Sequence, residues 1–256
     1  MAPKKTVTLN RLTRYLNGYL SVPDIYDDSL NGLQIEGSYR ISKAAFAVDA
    51  CQASFRATAR AGAEILIVHH GLFWGKPEPI TGILKKRIAT LFENGISLYA
   101  VHLPLDCHPE VGNNVQLAGL FDLAVRGKFA GYKGIEIGVL AEPPEPLDRA
   151  KLLQMIERKL NTPADLLPFG PGLIQRIGIV SGGGDFAVAE AGQCGCDTLI
   201  TGETSHQVYH VAEERKINVI FAGHYATETV GLKALAAHIS NRFSIECRFL
   251  AAPTGY

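Results

Sequence analysis

An internal repeat constrains the fold of this chain more than any other feature of its sequence. The segment Ile174–Ser181 aligns with Ile41–Val48, and at the same offset Gly195–Thr201 aligns with Gly62–Val68. The aligned segments are aliphatic runs of the length that favours buried strands. Strand–helix–strand units resemble one another in general, so chance similarity is the alternative explanation. The shared order and the shared offset favour a duplication, and therefore two similar halves.

Strand-like and helix-like segments alternate along the chain, which predicts parallel strands joined by right-handed crossovers. The predicted strands are Ala44–Val48, Glu64–Val68, Ile96–Val101 and Ile135–Leu140, and the predicted helices are Val7–Leu20, Ala53–Ala61, Ile80–Glu93 and Leu147–Leu160. A stretch rich in glycine and lysine, Gly127–Gly134, marks the predicted junction. The sequence thus predicts an α/β fold with two similar domains, residues 1–127 and 128–256, mostly parallel or mixed sheets, and a site in the cleft between them.

Composition narrows the possible partners. The 256 residues are 47% hydrophobic, and 25 basic residues balance 25 acidic ones, which gives no overall charge for binding nucleic acid. No apolar run approaches the roughly 20 residues of a membrane span, and the first ten residues lack the apolar block of a secretory signal. The five cysteines are scattered, as is typical of a reducing compartment. We therefore expect a cytoplasmic protein with neither membrane nor nucleic acid as its partner.

A pair of histidines follows the most aliphatic of the predicted strands. Ile65–Val68 reads as a strand buried on both faces, and His69 and His70 come at its carboxyl end, where open α/β sheets bind their ligands. Neighbouring side chains of a strand point to opposite faces. The two imidazoles are therefore expected to share a site only if the chain turns out of the sheet there, which Gly71 permits.

Further metal-binding side chains follow other predicted strands. A histidine followed four residues later by a carboxylate occurs in both halves, as His102 with Asp106 and as His224 with Glu228. If Tyr225 begins a helix, the second pair lies on one face of its first turn. Hydrogen-bonded core histidines are the alternative, but recurrence in both halves favours ligands. The candidate ligands are His69, His70, Asp106, His224 and Glu228. Their chemistry suits two divalent ions, of Zn, Fe, Mn or Ni, better than Ca or Mg.

Four segments of the chain resemble the signature blocks of the NIF-three-like family, also known as GTP cyclohydrolase 1 type 2 homologues. They are Val68–Trp74, Val101–Asn114, Ile200–Glu203 and Gly223–Glu228. The resemblance implies two α/β domains, a dinuclear metal site at their interface and a ring-shaped homohexamer. The short region 127–173 leaves no room for the large inserted domain of some members, so the chain resembles the compact bacterial form.

The same resemblance implies a role for each candidate ligand. His70 and Asp106 would hold one ion, His69 and His224 would hold the other, and Glu228 would bridge both. All five residues are present in this chain.

The family name implies water activated by metal attacking C8 of GTP, which a dinuclear site can perform. The sequence lacks a G-x-x-x-x-G-K-[ST] phosphate loop, and Ser181–Gly184 is either a phosphate-binding turn or a plain one. We therefore predict a metal-dependent hydrolase of a nucleotide or related heterocycle, the substrate itself being unknown. A non-catalytic metal-binding scaffold or metal-handling protein is the alternative.

Several polar and aromatic residues remain open to two interpretations. His102 and Glu203 are the candidates for moving protons or orienting ligands, and hydrogen-bonded buried polar groups are the alternative. Asn113, Asn114 and His206 are candidates for lining the cleft, although helix capping and surface exposure explain them equally well. Trp74 is assigned to packing or a subunit contact rather than to substrate stacking.

Overall fold

A computed structural model describes residues 5–255, which form fifteen strands and ten α-helices. The strands are β1 (Val7–Thr8), β2 (Gly32–Ile35), β3 (Arg40–Ile41), β4 (Lys43–Asp49), β5 (Ile65–His70), β6 (Ser97–Ala100), β7 (Ala124–Tyr132), β8 (Ile135–Glu142), β9 (Leu147–Asp148), β10 (Asp165–Pro168), β11 (Leu173–Ile174), β12 (Ile177–Val180), β13 (Thr198–Thr201), β14 (Asn218–Phe221) and β15 (Glu246–Phe249). The helices are α1 (Leu9–Tyr19), α2 (Gln52–Ala61), α3 (Gly82–Glu93), α4 (Leu103–Asp106), α5 (Asn113–Leu120), α6 (Arg149–Leu160), α7 (Val188–Gln193), α8 (Val208–Arg215), α9 (His224–Thr227) and α10 (Thr229–Phe243). Among these described residues, no helix is long and apolar enough to cross a membrane.

The eight predicted segments all appear as the predicted type of element, with ends that differ by one or two residues. Three helices, α1, α3 and α6, begin two residues later than predicted, and in α1 and α6 a polar side chain caps the start. Thr8 Oγ1 accepts a hydrogen bond from the amide of Arg11 before α1, and Asp148 accepts from two amides at the start of α6. The residues before these caps form the short strands β1 and β9 instead.

The described chain divides into two compact units. The first comprises the residues up to Leu105 together with Leu232–Ala252, and the second comprises Asp106–Gly231 and the residues from Pro253 onward. This division differs from halves of 1–127 and 128–256, because β15 pairs in parallel with β4 and so returns the C-terminal region to the first unit. The predicted junction Gly127–Gly134 lies in β7 and the turn that joins it to β8.

The first unit is built on a five-stranded sheet with the order β15-β4-β5-β6-β2. β4, β5 and β6 are parallel, and β2 pairs antiparallel with β6 at one edge. β5 therefore lies at the centre, and its residues from Ile65 to His69 are fully buried. Apolar side chains of β4, β5 and β6 pack with those of α2 and α3 into one core that includes Phe55, Leu66 and Leu91.

The second unit is built on a six-stranded sheet with the order β10-β14-β13-β12-β8-β7. β12, β13 and β14 are parallel, whereas β10 and β8 pair antiparallel with the two outer strands of this trio. Its core includes Leu117 of α5, Ile156 of α6 and Ile179 of β12. The two sheets are thus mixed, and the prediction of an α/β fold is confirmed.

The parallel trios of the two units repeat one another. Ala44 of β4 pairs with Ile65 of β5, and Ile177 of β12, at the position aligned with Ala44, pairs with Thr198 of β13. In each trio the central strand lies between two parallel neighbours, and an antiparallel strand flanks the third. The predicted equivalence of the strands that contain Leu66 and Leu199 is confirmed.

Candidate metal centre

Three histidines form a cluster in the first unit at the carboxyl ends of β5 and β6. The ring centroid of His69 lies 4.8 Å from that of His70 and 5.0 Å from that of His102. The rings of His70 and His102 are 5.7 Å apart. One nitrogen from each ring lies within 4.8 Å of the others, close enough for the three to contact one metal ion. The histidine pair therefore does share a site, and it shares it with His102.

The pair reaches this arrangement without leaving the strand, so the expectation that the chain must turn out of the sheet first is wrong. β5 continues through His70. Its pairing with β6 ends at Val68, whereas its pairing with β4 continues to Asp49 opposite His70. The end of the strand is thus held on one side only, which allows it to twist so that both rings lie in one cluster.

Each of the three rings uses its Nδ1 atom for a hydrogen bond to an oxygen. Nδ1 of His69 lies 3.0 Å from the carbonyl oxygen of Val101. Nδ1 of His70 lies 2.9 Å from Asp49 Oδ1, and Nδ1 of His102 lies 3.1 Å from the Asp27 carboxylate. A carbonyl only accepts, so Nδ1 of His69 carries the proton and Nε2 of the neutral ring has the lone pair. Metal-binding histidines are oriented in this way, so the donor set fits a divalent metal.

Asp27 is the most heavily hydrogen-bonded acceptor of the cluster. Its side chain is only 3% exposed, and it accepts hydrogen bonds from His102 Nδ1, the side-chain amide of Asn31 and the backbone amide of Leu103. Burial favours the uncharged acid, but the hydrogen bond and charge of His102, helped by the other two donors, outweigh burial and hold the pKa of Asp27 well below its usual range. Asp27 therefore stays a carboxylate that fixes the orientation of His102.

No local sequence pattern indicates these roles for Asp27 and Asp49. Asp27 belongs to the segment DDSLNG, whose composition indicates a turn, and it does make the local hydrogen bonds of one to Ser29 and Asn31. Its contact with His102 joins residues 75 positions apart in the chain. Asp49 is the last residue of β4, so strand register brings it to His70.

His224 and Glu228 form the corresponding group in the second unit. His224 begins α9, and its Nε2 lies 3.1 Å from Oε1 of Glu228, as the four-residue spacing predicts. On its other side, Nδ1 of His224 lies 3.1 Å from Oε2 of Glu203. Burial alone would lower the pKa of His224, but the hydrogen bonds and charges of Glu228 and Glu203 outweigh it and raise the pKa to about 9. Glu203 thus orients His224, which is one of the two roles predicted for it.

Asp106 is buried at the end of α4 and is oriented by two neutral donors. Its Oδ1 accepts from Asn113 Nδ2 at 2.8 Å and from Ser181 Oγ at 3.1 Å. Asn114 supports this arrangement, because its side-chain oxygen accepts from the amide of Ser181. Both asparagines are completely buried at the start of α5. They therefore position Asp106 rather than line an open surface, and Ser181 is a further positioning residue that only the structure shows.

The turn Ser181–Gly184 is a structural part of this group. The amide of Gly182 donates to Thr227 Oγ1, and the amide of Gly184 donates to Thr201 Oγ1. Because these donors are already used, the structure favours the plain turn over a phosphate-binding loop. Gly182 has a φ of +61°, and a Cβ atom there would overlap the carboxylate of Glu228. Only glycine lets the turn approach Glu228 so closely.

The repeat relates residues of the second unit to Asp49 and the histidine pair of the first unit. Continuing the alignment by two residues beyond each strand places Gly182 at the position of Asp49, Gly202 at that of His69, and Glu203 at that of His70. The first unit therefore offers imidazoles from the end of its central strand. The second has Gly202 and Glu203 there, and its imidazole comes from His224 of α9 instead.

His206 and Trp74 are two further residues for which the sequence leaves two interpretations open, and the structure shows their neighbours. His206 lies beside His210, with ring centroids 6.1 Å apart, in a surface pocket with Tyr209 rather than beside His224. Trp74 is 39% exposed, and its ring centroid lies 4.9 Å from that of His102. Trp74 is therefore part of the surroundings of the histidine cluster.

Replacing Gly182 by alanine is expected to displace Glu228 from His224. The added Cβ overlaps the carboxylate, and an alanine at positive φ costs about 1–2 kcal/mol more than glycine. In the metal-free protein, the pKa of His224 measured by NMR should fall from about 9 towards its ordinary value. Gly172→Ala, which meets nothing within 4 Å, is the control and should leave that pKa unchanged. An unaltered titration of His224 in Gly182→Ala would contradict the close approach.

The stability of the metal-free protein should depend on the charge of His224. The folded-state pKa of His224 is about 9, above the ordinary value of 6.5, so its charge stabilises the fold fully below pH 6.5 and loses this effect as the pH rises through 9. Urea unfolding in chelator should therefore show wild type more stable than His224→Gln at pH 6.5, with the difference shrinking towards pH 9.5. A difference that does not change with pH would contradict the raised pKa.

Residues 7–254 match the Duf34/NIF3 (NGG1p interacting factor 3) family. The chain is 43% identical over 247 residues to a protein of Pyrococcus abyssi named GTP cyclohydrolase 1 type 2 homolog, and the match covers 95% of this chain and 98% of that protein.

Solved structures agree with the sequence comparison. A protein from Thermus thermophilus is 41% identical, with a TM-score of 0.88 and coverage of 98% of this chain and 100% of that one. The structure of protein ybgI, described as of unknown function, is 35% identical with a TM-score of 0.93 and the same coverage. The match over nearly the whole sequence and the shared fold together make this chain a member of the Duf34/NIF3 family.

Proposed function

We propose that this protein is a metal-dependent hydrolase with a dinuclear site, acting on a nucleotide or a related heterocycle. One observation supports the metal site above all others. In the histidine cluster, the rings of His69 and His70 each engage Nδ1 with an oxygen acceptor, and one nitrogen from each lies within 4.8 Å of the other and of a nitrogen of His102. Metal ligands are held in this way because the fixed Nδ1–H group directs Nε2 to the metal.

The ligand assignment follows the roles that the family resemblance implies. We assign His70 and Asp106 to one ion, His69 and His224 to the other, and Glu228 to both. Three imidazole ligands together with two carboxylate ligands suit Zn, Fe, Mn or Ni. Five protein ligands leave open coordination positions on two ions, which is typical of catalytic rather than structural sites.

Two divalent ions in such a site supply Lewis acidity and lower the pKa of water towards neutrality. The protein contributes orientation and proton movement. Asp27 holds Nδ1 of His102, so Nε2 of that ring is the atom that would accept or return a proton. Glu203 holds Nδ1 of His224 and so keeps that ring in place.

The substrate class and the assembly are also part of the proposal. The curated relatives are named GTP cyclohydrolase 1 type 2 homolog, which supports a nucleotide or related heterocycle as substrate. By family resemblance we propose a ring-shaped homohexamer located in the cytoplasm. Light scattering of the purified protein measures the assembly directly.

Metal analysis of variants tests the ligand assignment. Wild type should bind about two divalent ions per chain, Glu228→Ala should lose both because it removes the bridge, and His69→Ala should mainly weaken one. Asp49→Asn should lower the affinity about 10- to 100-fold, because Asp49 orients the ring of His70.

The matched control is Glu213→Ala, which removes an exposed carboxylate from α8 and should leave the metal content unchanged. Wild-type stoichiometry in Glu228→Ala would refute the bridging role.

Turnover assays across a panel of nucleotides and heterocycles test the enzymatic part of the proposal. His102→Asn should keep both ions but lower the rate about 10²- to 10⁴-fold, because it removes the proton carrier. Asp106→Ala should lose metal and activity together, since it removes a ligand. Absence of hydrolysis of every compound by fully metal-loaded wild type would favour the non-catalytic scaffold instead.

A further inference from the structure

A cavity of about 550 Å³ lies in the first unit beside the histidine cluster. Two segments line it, residues 26–30 and residues 72–78. Its walls include Tyr26, Leu30, Phe73 and Trp74, which we call the aromatic slot. Small-molecule pockets have volumes of roughly 300–1,000 Å³ and mostly apolar linings with a few polar groups. This cavity has the size and lining of such a pocket.

The slot is held open by hydrogen bonds between its two segments. The amide of Leu30 donates to the carbonyl of Phe73 at 3.0 Å, and the amide of Gly75 donates to the carbonyl of Asp28 at 2.7 Å. These two bonds form an isolated antiparallel bridge between Ser29 and Trp74. Because these bonds fix both walls, the slot exists before any ligand arrives, and binding needs little ordering of the backbone.

The aromatic groups of the slot offer their surfaces rather than their polar atoms. The indole Nε1–H of Trp74 donates to the carbonyl of Gly71 at 3.0 Å, which fixes the ring. Tyr26 is 70% exposed and Leu30 is 57% exposed. Exposure of such apolar surfaces to water is unfavourable, so burying them against a planar ring stabilises the complex.

The slot lies beside the proposed site of chemistry. The ring of Trp74 lies 4.9 Å from that of His102 and 6.0 Å from that of His70, measured between centroids. Asp28, which lines the slot, follows directly after Asp27, the carboxylate that orients His102. A molecule stacked on the indole would therefore contact a side chain that itself lies beside His102.

The charges at the slot favour a ring that carries N–H groups. The acidic residues Asp27, Asp28 and Glu78 line the cavity, and Lys76 is its one positively charged lining residue among those described. Carboxylates accept hydrogen bonds from N–H groups, which nitrogen heterocycles offer at their edges while their faces stack on aromatic rings.

We propose that the aromatic slot binds the planar nitrogen heterocycle of the substrate, stacked on Trp74. This inference rests on the proposed function and adds the position and the chemical class of the substrate. It replaces the assignment of Trp74 to packing or a subunit contact.

Trp74 is the only tryptophan of the chain, so its fluorescence reports from the slot alone. The probes are the monophosphates of guanosine, adenosine and uridine, with ribose 5-phosphate as the analogue without a heterocycle. At least one nucleotide should quench the fluorescence saturably and bind about tenfold more tightly than ribose 5-phosphate. The titration uses the full-length protein, both with added divalent metal and in chelator.

Two slot variants keep the reporter and test the walls. Tyr26→Ser and Phe73→Leu should each weaken nucleotide binding several-fold, and the exposed position of Tyr26 makes its replacement safe for the fold. Tyr39→Ser is the control, since Tyr39 is 64% exposed and does not line the slot. Circular dichroism confirms that each variant is folded.

The outcomes separate this inference from the proposed function. Any of three results would overturn the proposal that the slot binds the heterocycle. They are no saturable quenching by any of the three nucleotides, equal affinity for ribose 5-phosphate, and unchanged binding in both slot variants. Specific nucleotide binding without hydrolysis would support heterocycle binding in the slot and contradict the proposed hydrolase activity. Hydrolysis that both slot variants leave unchanged would refute the slot alone.

Discussion

Parallel pairing of β4, β5 and β6 is the constraint on which the first unit depends. Parallel strands end at the same edge of a sheet, so residues that are far apart in the chain lie close together there. The ladder brings Asp49 opposite His70, and the backbone after β6 supplies the carbonyl of Val101 to His69. The same register therefore places the histidines and also fixes which ring nitrogen carries the proton. The clustering of histidines in this unit is a consequence of how three strands pair.

The second unit repeats the register but uses it differently. The strands β12, β13 and β14 pair as β4, β5 and β6 do. Gly182 and Gly202, however, occupy the positions that correspond to Asp49 and His69. Without side chains at Gly182 and Gly202, the turn and the strand end lie close to α9, where His224 and Glu228 are found. The two units thus illustrate how a repeated sheet can present imidazoles from strand ends in one copy and from a helix in the other.

The histidines have different carboxylate partners in the two groups of residues. In the first unit, Asp27 and Asp49 contact histidines and set their orientation. In the second, His224 lies between Glu228 and Glu203, and the raised pKa of its ring shows that the metal-free group favours a proton there. A metal ion bound by His224 would have to replace this proton, so metal binding and proton release are coupled at this residue.

The sequence alone determined much of this protein. Aliphatic runs and helical spacing located the elements to within two residues, and the internal repeat by itself indicated two related sheets. Positions after predicted strands gave the candidate ligands, and family resemblance gave each of them a role. Local patterns succeed here because strand burial, helix capping and four-residue spacing act over a few neighbouring residues. His224 and Glu228 illustrate this, since one turn of helix suffices to bring them together.

Only the tertiary structure decided which groups orient those ligands and where each unit ends. Asp27 reaches His102 across 75 residues, and Ser181 reaches Asp106 across the same separation. β15 returns to β4 from the far end of the chain, which divides the units at places that composition does not mark. Contacts of this kind depend on strand order and register, which no short segment specifies. For the same reason the sequence around Trp74 favoured packing or a subunit contact over substrate stacking, and the pairing of its loop with residues 26–30 is what forms the slot beside His102.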